Sequence, residues 1–537
     1  MNLLVKGTSG PLAGEVQVPN SKYHAHRALI LASLAPGTSR ILGLSDARHV
    51  QYTMDVLRAL GTQIEVDDQT LLVTGGPYRV KRKVVSVGSS GSTLYFMIGL
   101  ASLADAPITL TAQKYFQRRP VGPLLNALAA MGVRFESANG CPPIAIIPGQ
   151  PRGGSIVIPG TLSQWISGLL LLAPFAKERT IIEVEGELNE RPYIALTAEM
   201  MRAFGLHVRI ANDCRRFEVE PDQQAHPATL ELPPDIGSAA FGLAVTAIHP
   251  SNVLFRGLQK LPGELPDHPE GAFMEIVREM GLPMAFEEQA RAVRVKHDGI
   301  ELRGVHVDCR DIPDMLPILS TLGTFAKGET VLENIRHVRL KESDRVAAML
   351  QLNRMGGHLE LHDDRLVAHG VSQLFGARLS SFNDHRILMS LAVAASRAEG
   401  QSTLTYPNAY RISYPRFLDA MRSIGVPMSI SDAPSNGRRV LPQRDRQMLK
   451  PERAAQLTLD ELVRRHAQEM PREVAVIETG DGGDATLTWQ ELLDAVDRTA
   501  TLLLQLNVRP GECVAYQLPN CLEFVVLSLA ALRVGAI

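Results

Sequence analysis

Cysteine is scarce in this chain and follows no pattern. Five cysteines occur in 537 residues, and no two of them stand in CxxC spacing. They are Cys141, Cys214, Cys309, Cys513 and Cys521. An odd, scattered set of this kind argues against a disulfide framework and against a cysteine-based zinc site.

Long apolar runs and an excess of charge of one sign are also missing. The longest apolar stretches, such as GLLLLAPFA from Gly168, fall far short of the roughly 20 residues that span a bilayer. The opening MNLLVKGTSG lacks the apolar core of a signal peptide, and the formal net charge is -2. We therefore expect a cytoplasmic protein that binds neither membranes nor nucleic acid.

The composition is that of a folded protein, 45% hydrophobic and 21% charged, and the length suggests several domains. One phrase recurs six times: an apolar helical run that ends in Gly and precedes alternating apolar and polar residues. The copies are VLRALG, ALAAMG, MMRAFG, IVREMG, QLNRMG and AMRSIG, ending at Gly61, Gly132, Gly205, Gly281, Gly356 and Gly425. The spacing of about 70 residues predicts six α/β units, each with a helix capped by a left-handed Gly before a half-buried strand.

Six units divide most simply into two lobes of three. The Pro-rich stretch PDQQAHPATLELPPD at residues 221–235 is suited to a crossing between lobes, and a second crossing is expected near residues 18–21. These positions predict one lobe from 1–20 with 234–432 and another from 21–233. A polar, basic segment at 433–454 is typical of a linker, and residues 455–537 form a separate segment without the repeat.

Cationic residues are concentrated in four motifs beside Pro, Gly or the start of an apolar helix. These are PNSKYHAHRAL with Lys22 and Arg27, QRRPVGPL with Arg118 and Arg119, RLKESDR with Arg339, Lys341, Glu342 and Arg345, and FNDHR with His385 and Arg386. The turn GSSGS at residues 88–92 offers backbone N–H groups to an anion. Taken singly, such a motif is more often a helix cap or an ion pair. Four together, with the acid Asp314, favour a cleft that binds phosphate and carboxylate groups.

The motifs VPNSKYHAHRAL, GSSGS, RRP, SQW, RPYI, IPD, LKESDR, NDHR and SYPRF, in this order, resemble those of the enolpyruvylshikimate phosphate (EPSP) synthase family, the 3-phosphoshikimate 1-carboxyvinyltransferases. The resemblance covers residues 1–430. It implies an α/β, two-lobed enolpyruvyl transferase fold built from six βαβαββ units, with the active site between the lobes. The six repeats counted above agree with that architecture.

The family's reaction explains the need for such residues. The methylene carbon of phosphoenolpyruvate is protonated, an acceptor hydroxyl attacks the cationic carbon, and phosphate leaves a tetrahedral intermediate. The resemblance implies that Asp314 is the base, that Glu342 and Lys22 transfer the other proton, and that His385 is a further catalytic residue. It also implies no metal and no cofactor, and it favours a monomer.

The resemblance assigns binding positions as well. Those implied for phosphoenolpyruvate are Lys22, Gly91, Ser92, Arg119, Gln164, Arg345 and Arg386. Those implied for the acceptor are Tyr23, Arg27, Ser163, Gln164, Glu190, Tyr193, Asp314, His337 and Lys341.

Several of these positions depart from the family pattern, mostly on the acceptor side. Tyr23, Leu162 and Glu190 replace serines, two of which bind the acceptor phosphate in the family, and His337 replaces an asparagine. A carboxylate facing a phosphate in a dry cleft is strongly unfavourable, so we expect an acceptor that lacks this phosphate. Ordinary activity on 3-phosphoshikimate and a degenerate, non-catalytic scaffold are the alternatives.

Fewer positions depart on the donor side. Tyr95 replaces an arginine and Ser89 an asparagine. Ile412 replaces a lysine, and the adjacent Arg411 is a candidate to supply the missing charge.

The segment 455–537 resembles the opening of an adenylate-forming enzyme, the class that includes acyl-CoA synthetases and peptide-synthetase adenylation domains. The resemblance rests on Leu487, Thr488 and Trp489, on the following Glu491 and Leu492, and on the final Gly535 and Ala536. The family's glycine-rich ATP loop and catalytic lysine would lie further on, so we expect an incomplete domain that does not itself adenylate. The fusion suggests a specialised-metabolite pathway.

Overall fold

The computed structural model describes residues 1–113, 116, 119, 121–258, 268–431, 458–478, 485–518 and 521–536. Arg118 and the predicted linker at 433–454 lie outside these residues. The chain forms two compact units, Met1–Val440 and Leu441–Ile537.

The strands of the first unit are β1 (Asn2–Lys6), β2 (Leu12–Gln17), β3 (Gly37–Leu42), β4 (Gln63–Asp67), β5 (Thr70–Gly75), β6 (Val84–Ser86), β7 (Ile108–Thr111), β8 (Arg134–Ser137), β9 (Ile144–Ile147), β10 (Gly154–Pro159), β11 (Thr180–Glu185), β12 (Arg209–Ile210), β13 (Arg216–Val219), β14 (Thr229–Glu231), β15 (Ser251–Arg256), β16 (Met284–Glu287), β17 (Ala292–His297), β18 (His306–Asp308), β19 (Glu329–Glu333), β20 (His358–His362), β21 (Arg365–His369), β22 (Arg378–Leu379), β23 (Gln401–Leu404) and β24 (Met428–Ser431).

Its α-helices are α1 (Lys22–Leu34), α2 (Arg48–Ala59), α3 (Gly91–Leu100), α4 (Gly122–Ala130), α5 (Ser163–Leu172), α6 (Arg191–Ala203), α7 (Ile236–Ile248), α8 (Ala272–Glu279), α9 (Leu316–Phe325), α10 (Arg345–Met349), α11 (His385–Ser396) and α12 (Phe417–Ser423). Short 3₁₀ helices lie at Ala101–Leu103, Ala173–Phe175, Pro313–Met315, Arg336–Leu340, Leu350–Met355 and Ala409–Ile412.

These strands form six sheets of four, and the sheets share one plan. Each has a parallel pair at one edge and antiparallel strands at the other; the orders are β14-β3-β5-β4, β6-β7-β9-β8, β10-β11-β13-β12, β16-β17-β15-β2, β18-β19-β21-β20 and β22-β23-β1-β24. The prediction of six α/β units is confirmed.

The repeated Gly has the conformation that the sequence predicts. At all six copies φ is positive, between +80° at Gly205 and +108° at Gly281. A residue with a side chain rarely adopts this conformation, and Gly adopts it without a steric penalty. The chain can therefore turn at each Gly and begin the next strand two to four residues later.

Two buried cores form within the first unit. One contains residues between Tyr23 and Leu232, and the other joins the chain's first strands to residues between Ile236 and Met428. Beyond their first turns, helices α3, α5, α7 and α11 are mostly apolar, and they lie largely buried within these cores. We propose that the two cores correspond to the two predicted lobes, with crossings at residues 18–21 and 221–235.

Within its described residues, 458–478, 485–518 and 521–536, the second unit contains a two-stranded sheet and three helices. Its elements are β25 (Val474–Glu478), β26 (Ala485–Thr488), α13 (Leu459–Glu469), α14 (Trp489–Gln505) and α15 (Leu522–Arg533). Helices α13 and α14 both begin with a capping box, in which Thr458 and Thr488 pair with Glu461 and Glu491. Within the described ranges, no helix combines the length and apolarity that crossing a membrane requires.

We predict that Gly425→Ala destabilises the protein through backbone strain alone. The φ of Gly425 is +99°, and the nearest atom to an added Cβ is 3.9 Å away, so no steric clash contributes. We expect a loss of about 1–2 kcal/mol, measured as a lower urea midpoint. Gly122→Ala is the control, because Gly122 has no positive φ and a Cβ there meets nothing within 4 Å. Equal midpoints for the two variants would contradict the prediction.

Candidate functional site

The first helix of every repeat unit begins at one cleft between the two cores. Helices α1, α3, α5 and α11 start at Lys22, Gly91, Ser163 and His385, while Asp235 caps α7 and the turn Pro313–Met315 precedes α9. Helix N-termini carry partial positive charge and unpaired N–H groups. The repeat architecture thus produces a cleft suited to anions.

Arg345 lies at the centre of this cleft and is fully buried. Its guanidinium donates hydrogen bonds to three carboxylates: Asp384 at 2.8 Å, Asp314 at 2.8 Å and Glu342 at 2.6 Å. These neighbours outweigh the effect of burial, so the pKa of Arg345 is raised and the side chain stays charged.

Arg386 is the second buried guanidinium. Its Nη2 donates to the Tyr23 hydroxyl at 2.6 Å and to Glu270 Oε1 at 2.9 Å, and its Nη1 donates to the Asp314 carbonyl at 2.9 Å. The Tyr23 hydroxyl is also 2.6 Å from Glu270 Oε1 and 2.8 Å from Asp314 Oδ2. Tyr23 therefore connects two acids and one cation inside the cleft.

Glu270 is the most important residue that the sequence analysis missed. Its Oε1 also accepts a hydrogen bond from Tyr193 at 3.0 Å, and its Oε2 is buried without a hydrogen-bond partner among the described residues. Burial raises the pKa of Glu270, although Arg386 acts in the opposite direction. Glu270 precedes α8 much as Glu190 precedes α6 in another unit, a correspondence that the structure reveals and no sequence motif marks.

Asp314 and Glu342 remain ionised within the cluster. Burial alone would raise both pKa values. Arg386, Lys341 and Arg345 hold the pKa of Asp314 well below its usual range. Arg345 and Arg119 do the same for Glu342.

Glu190 is buried on the acceptor side and already has partners. Its Oε2 accepts from the Ser163 backbone N–H at 3.0 Å and from the Ser163 hydroxyl at 2.6 Å, and its Oε1 accepts from Lys341. Burial would raise the pKa of Glu190, but Lys341 and His337 outweigh it and lower the pKa. Glu190 is thus an anion held by a serine and an ammonium group.

Two cavities lie on either side of the segment that carries Lys341. One, of about 550 Å³, is lined by His337 and Asn189 among others, and His337 Nε2 is buried there without a hydrogen-bond partner in the described chain. The other, of about 490 Å³, is lined by Arg119, Lys341 and residues near them.

On the donor side, the small residues of the GSSGS turn permit close approach. A Cβ at Gly91 would lie 2.7 Å from Arg119 Nη1, and Gln164 donates to the Ser92 hydroxyl at 3.0 Å. Arg119 stacks on Phe116 and Tyr95, with centroid distances of 5.1 and 5.7 Å, and lies 4.0 Å from Glu342. Tyr95 therefore supports a guanidinium of the site.

Lys22 is buried in the same region. Its Nζ lies 4.8 Å from the centre of the Tyr23 ring, and its backbone N–H donates to Asp235. Burial, assisted by Arg386, lowers the pKa of Lys22. Asp235, His268 and Glu270 could together hold a metal ion. However, Asp235 already caps α7, and the two ring nitrogens of His268 lie 3.2 and 3.3 Å from the backbone nitrogens of Glu270 and Ile236.

His385 and His49 face each other edge to face, with ring centroids 5.8 Å apart. Burial, with Lys22 nearby, lowers the pKa of His49 to about 3 and holds the pKa of His385 well below its usual range. Both rings are therefore neutral near pH 7. His49 also contacts the Ser89 hydroxyl at 3.0 Å.

Arg27 was expected to contact the acceptor and Arg411 to supply charge beside Ile412, but in the structure both guanidinium groups bond to other residues of the chain. Arg27 is buried and bonds Thr197 and the carbonyls of Tyr23 and Tyr193, so it links α1 to α6 behind the acceptor side. Arg411 donates to the Tyr410 hydroxyl. The cavity beside Ile412 is instead lined by Arg48.

Comparisons with known proteins agree on one family for most of the chain. Residues 6–421 match the sequence model of EPSP synthase (3-phosphoshikimate 1-carboxyvinyltransferase), and residues 463–537 match that of AMP-binding enzymes. The 3-phosphoshikimate 1-carboxyvinyltransferase of Methanocaldococcus jannaschii is 33% identical over 80% of this chain and 100% of its own length. That of Methanococcoides burtonii is 35% identical over 79% and 99%.

Solved structures share the fold at lower identity. EPSP synthase from Acinetobacter baumannii gives a TM-score of 0.67 at 24% identity, covering 80% of this chain and 100% of that one. The enolpyruvyl transferase NikO from Streptomyces tendae gives 0.63 at 17% identity, covering 81% and 99%.

We predict that Asp384→Ala strongly destabilises the protein, because it removes a partner of buried Arg345 and the side-chain cap of α11. The expected loss is about 3–5 kcal/mol by urea unfolding. Asp363→Ala is the control, since its ion pair with Arg336 is exposed and should contribute little. A similar loss in both variants would refute a special role for the buried pair.

Stability should also fall with acid because His49 is buried as the neutral form. Its folded pKa of about 3 lies below the value of about 6.5 in the unfolded chain, so the unfolded state binds more protons between these values. We expect His49→Gln to reduce the stability lost between pH 7.5 and 5 by roughly 2 kcal/mol. The exposed His207→Gln should leave that loss unchanged, and parallel pH profiles for all three proteins would contradict the prediction.

Proposed function

Because this chain belongs to the EPSP synthase family, we propose that its first unit transfers the enolpyruvyl group of phosphoenolpyruvate to an acceptor hydroxyl and releases phosphate. The main supporting observation is the buried cluster in which Arg345 and Arg386 contact Asp314. Such a cluster combines anion-binding cations with an acid that can accept a proton.

On the donor side, Arg119, Arg345 and Arg386 hold the phosphate and carboxylate of phosphoenolpyruvate. Lys22, Gln164 and the start of α3 at Gly91 and Ser92 complete this subsite. When the substrate's negative charges arrive, they compensate the guanidinium groups that now depress the pKa of Asp314 and Glu342. Donor binding therefore raises the basicity of both acids, which brings them closer to the working pH.

The proton steps follow from this arrangement. Asp314 accepts the proton of the acceptor hydroxyl as its oxygen attacks the central carbon of phosphoenolpyruvate, and Glu342 with Lys22 protonates the methylene carbon. Loss of a proton from the resulting methyl group then expels phosphate and restores the double bond. Neutral His385 borders Glu342 and Lys22, and we propose that it supports this second proton transfer.

We further propose that the acceptor lacks the phosphate of 3-phosphoshikimate. The carboxylate of Glu190 accepts the hydrogen bonds of Ser163 and Lys341 that an acceptor anion would otherwise receive. Two like charges 4 Å apart repel by about 4 kcal/mol at an effective dielectric constant of 20. Tyr23, Arg27, Tyr193 and His337 then border the acceptor rather than bind its phosphate.

The match of residues 463–537 to AMP-binding enzymes supports a specialised pathway. Adenylate-forming chemistry activates carboxylic acids, and an enolpyruvyl product carries a carboxylate. Two alternatives are outcomes of the test below. One is ordinary use of 3-phosphoshikimate, favoured by Ser163, Gln164, Tyr193 and Arg27, which match the family pattern; the other is a non-catalytic scaffold.

The decisive experiment measures phosphate release by the full chain from phosphoenolpyruvate. Shikimate 3-phosphate is offered first, followed by unphosphorylated hydroxy acids and nucleotides, with Asp314→Ala as the inactive control. Robust turnover with shikimate 3-phosphate would refute the changed acceptor. Turnover only with another acceptor would support it, and phosphoenolpyruvate binding without any turnover would indicate the scaffold.

Restoring the family's serine tests the role of Glu190 directly. We predict that Glu190→Ser lowers the KM for shikimate 3-phosphate at least about tenfold, because it removes repulsion worth more than 1.4 kcal/mol. The KM for phosphoenolpyruvate should not change. Glu185→Ser is the matched control, since Glu185 lines the cavity beside His337 but does not pair with Lys341. Equal KM values for the wild type and both variants would exclude Glu190 as a specificity determinant.

A further inference from the structure

The outer face of sheet β18-β19-β21-β20 is rich in histidine. On strand β20, His358, Glu360 and His362 point to one face, because side chains alternate along a strand. On the neighbouring strand, His369 pairs directly with His358. We call His358, Glu360, His362 and His369 the histidine face; it lies away from the catalytic cleft residues described above.

The ligand atoms of three of these residues are close together. His358, Glu360 and His369 each offer one such atom within 4.8 Å of the others. His358 Nε2 is 2.9 Å and His369 Nε2 is 3.9 Å from the same oxygen, Glu360 Oε1. The second oxygen, Oε2, lies 3.4 Å from His362 Nε2.

One nitrogen in this group has no hydrogen-bond partner. His369 Nε2 is shielded from solvent and makes no hydrogen bond within the described part of the chain. The rings of His369 and His358 are stacked, with centroids 4.3 Å apart and planes at 26°. Because the lone pair of an imidazole nitrogen lies in the ring plane, one of the two rings must rotate out of this stack before both can bind one ion. A buried polar atom without a partner is unfavourable unless a ligand satisfies it.

The repeated units provide an internal comparison. On the sheet containing β11 and β13, the carboxylates of Glu183 and Glu218 pair with Arg216. On the sheet containing β15 and β17, Arg256 pairs with Glu15 and Arg294 with Glu287. Arginine remains protonated and cannot coordinate a metal, whereas neutral imidazole can. The histidine face therefore carries side chains that can coordinate a metal ion, where the two equivalent sheets carry arginines that cannot.

We propose that His358, Glu360 and His369 form a site for Zn²⁺ or a similar divalent transition metal, with His362 or water as the fourth ligand. Two imidazoles and a carboxylate are a donor set that zinc favours. Ligands about 2.0–2.2 Å from a tetrahedral ion lie roughly 3.3–3.5 Å from one another. The present separations of 2.9 and 3.9 Å bracket that value, so rotation of one ring out of the stack completes the site.

The proposed site connects the edge strand β20 to the neighbouring strand β21. Strand β20 is the outermost strand of its sheet, and the ligands come from β20 and its neighbour β21. An ion held by side chains of both strands stabilises their pairing. The proposal is independent of the transferase chemistry.

Zinc titration of the untagged full chain tests the proposal. After removal of metals with a chelator, ZnCl₂ is added and heat is measured; Co²⁺ is added separately to read the absorption of a tetrahedral site. We expect tight binding of one ion and a higher melting temperature with Zn²⁺. His358→Ala and His369→Ala should each weaken binding at least about tenfold and remove the thermal shift.

His306→Ala is the matched control. His306 lies on the same sheet and pairs with Glu333, outside the histidine face, so its loss should leave zinc affinity unchanged. Wild-type zinc affinity in both His358→Ala and His369→Ala would overturn the proposal. Equal weakening in all three variants, or the absence of zinc binding in the wild type, would overturn it as well.

Discussion

The neutralisation of buried cations is the constraint on which the first unit depends. Lys22, Arg119, Arg345 and Arg386 are all shielded from water, and an unpaired buried guanidinium or ammonium group costs several kcal/mol. Their partners come from both cores: Tyr23 contributes to Arg386 from one side, while Glu270 and Asp314 contribute from the other. The relative placement of the two cores is therefore tied to the same contacts that prepare the cleft for an anionic substrate.

The sixfold repeat explains why so many distant segments meet there. Each unit supplies one apolar helix whose N-terminus reaches the cleft, and each returns through a helix that ends in a left-handed Gly. A single local pattern, copied along the chain, thus assembles a site from six parts. The residues at the start of these helices therefore line the cleft, while the repeated pattern determines the fold.

Most of the fold could be predicted from the sequence because its signals are local. The recurring Gly and the alternation after it fixed the number and type of units, and the cationic motifs indicated most of the residues that the cleft contains. Glu270 could not be found this way, because its partner Tyr23 is 247 residues away and no pattern in HPEGAF reveals the contact. Asp384 was visible inside NDHR, but its pairing with Arg345 depends on packing between two units. The structure places Arg411 Nε beside the Tyr410 hydroxyl, an orientation that adjacency to Ile412 in the sequence does not determine.

Glu190 has a left-handed backbone conformation. Its φ of 60° lies in the left-handed region, where a glutamate gains nothing over a smaller polar residue. The side chain is retained there through its contacts with Ser163 and Lys341 rather than through local conformation. The charge at this position of the cleft is therefore set by one side chain that the local backbone conformation does not require.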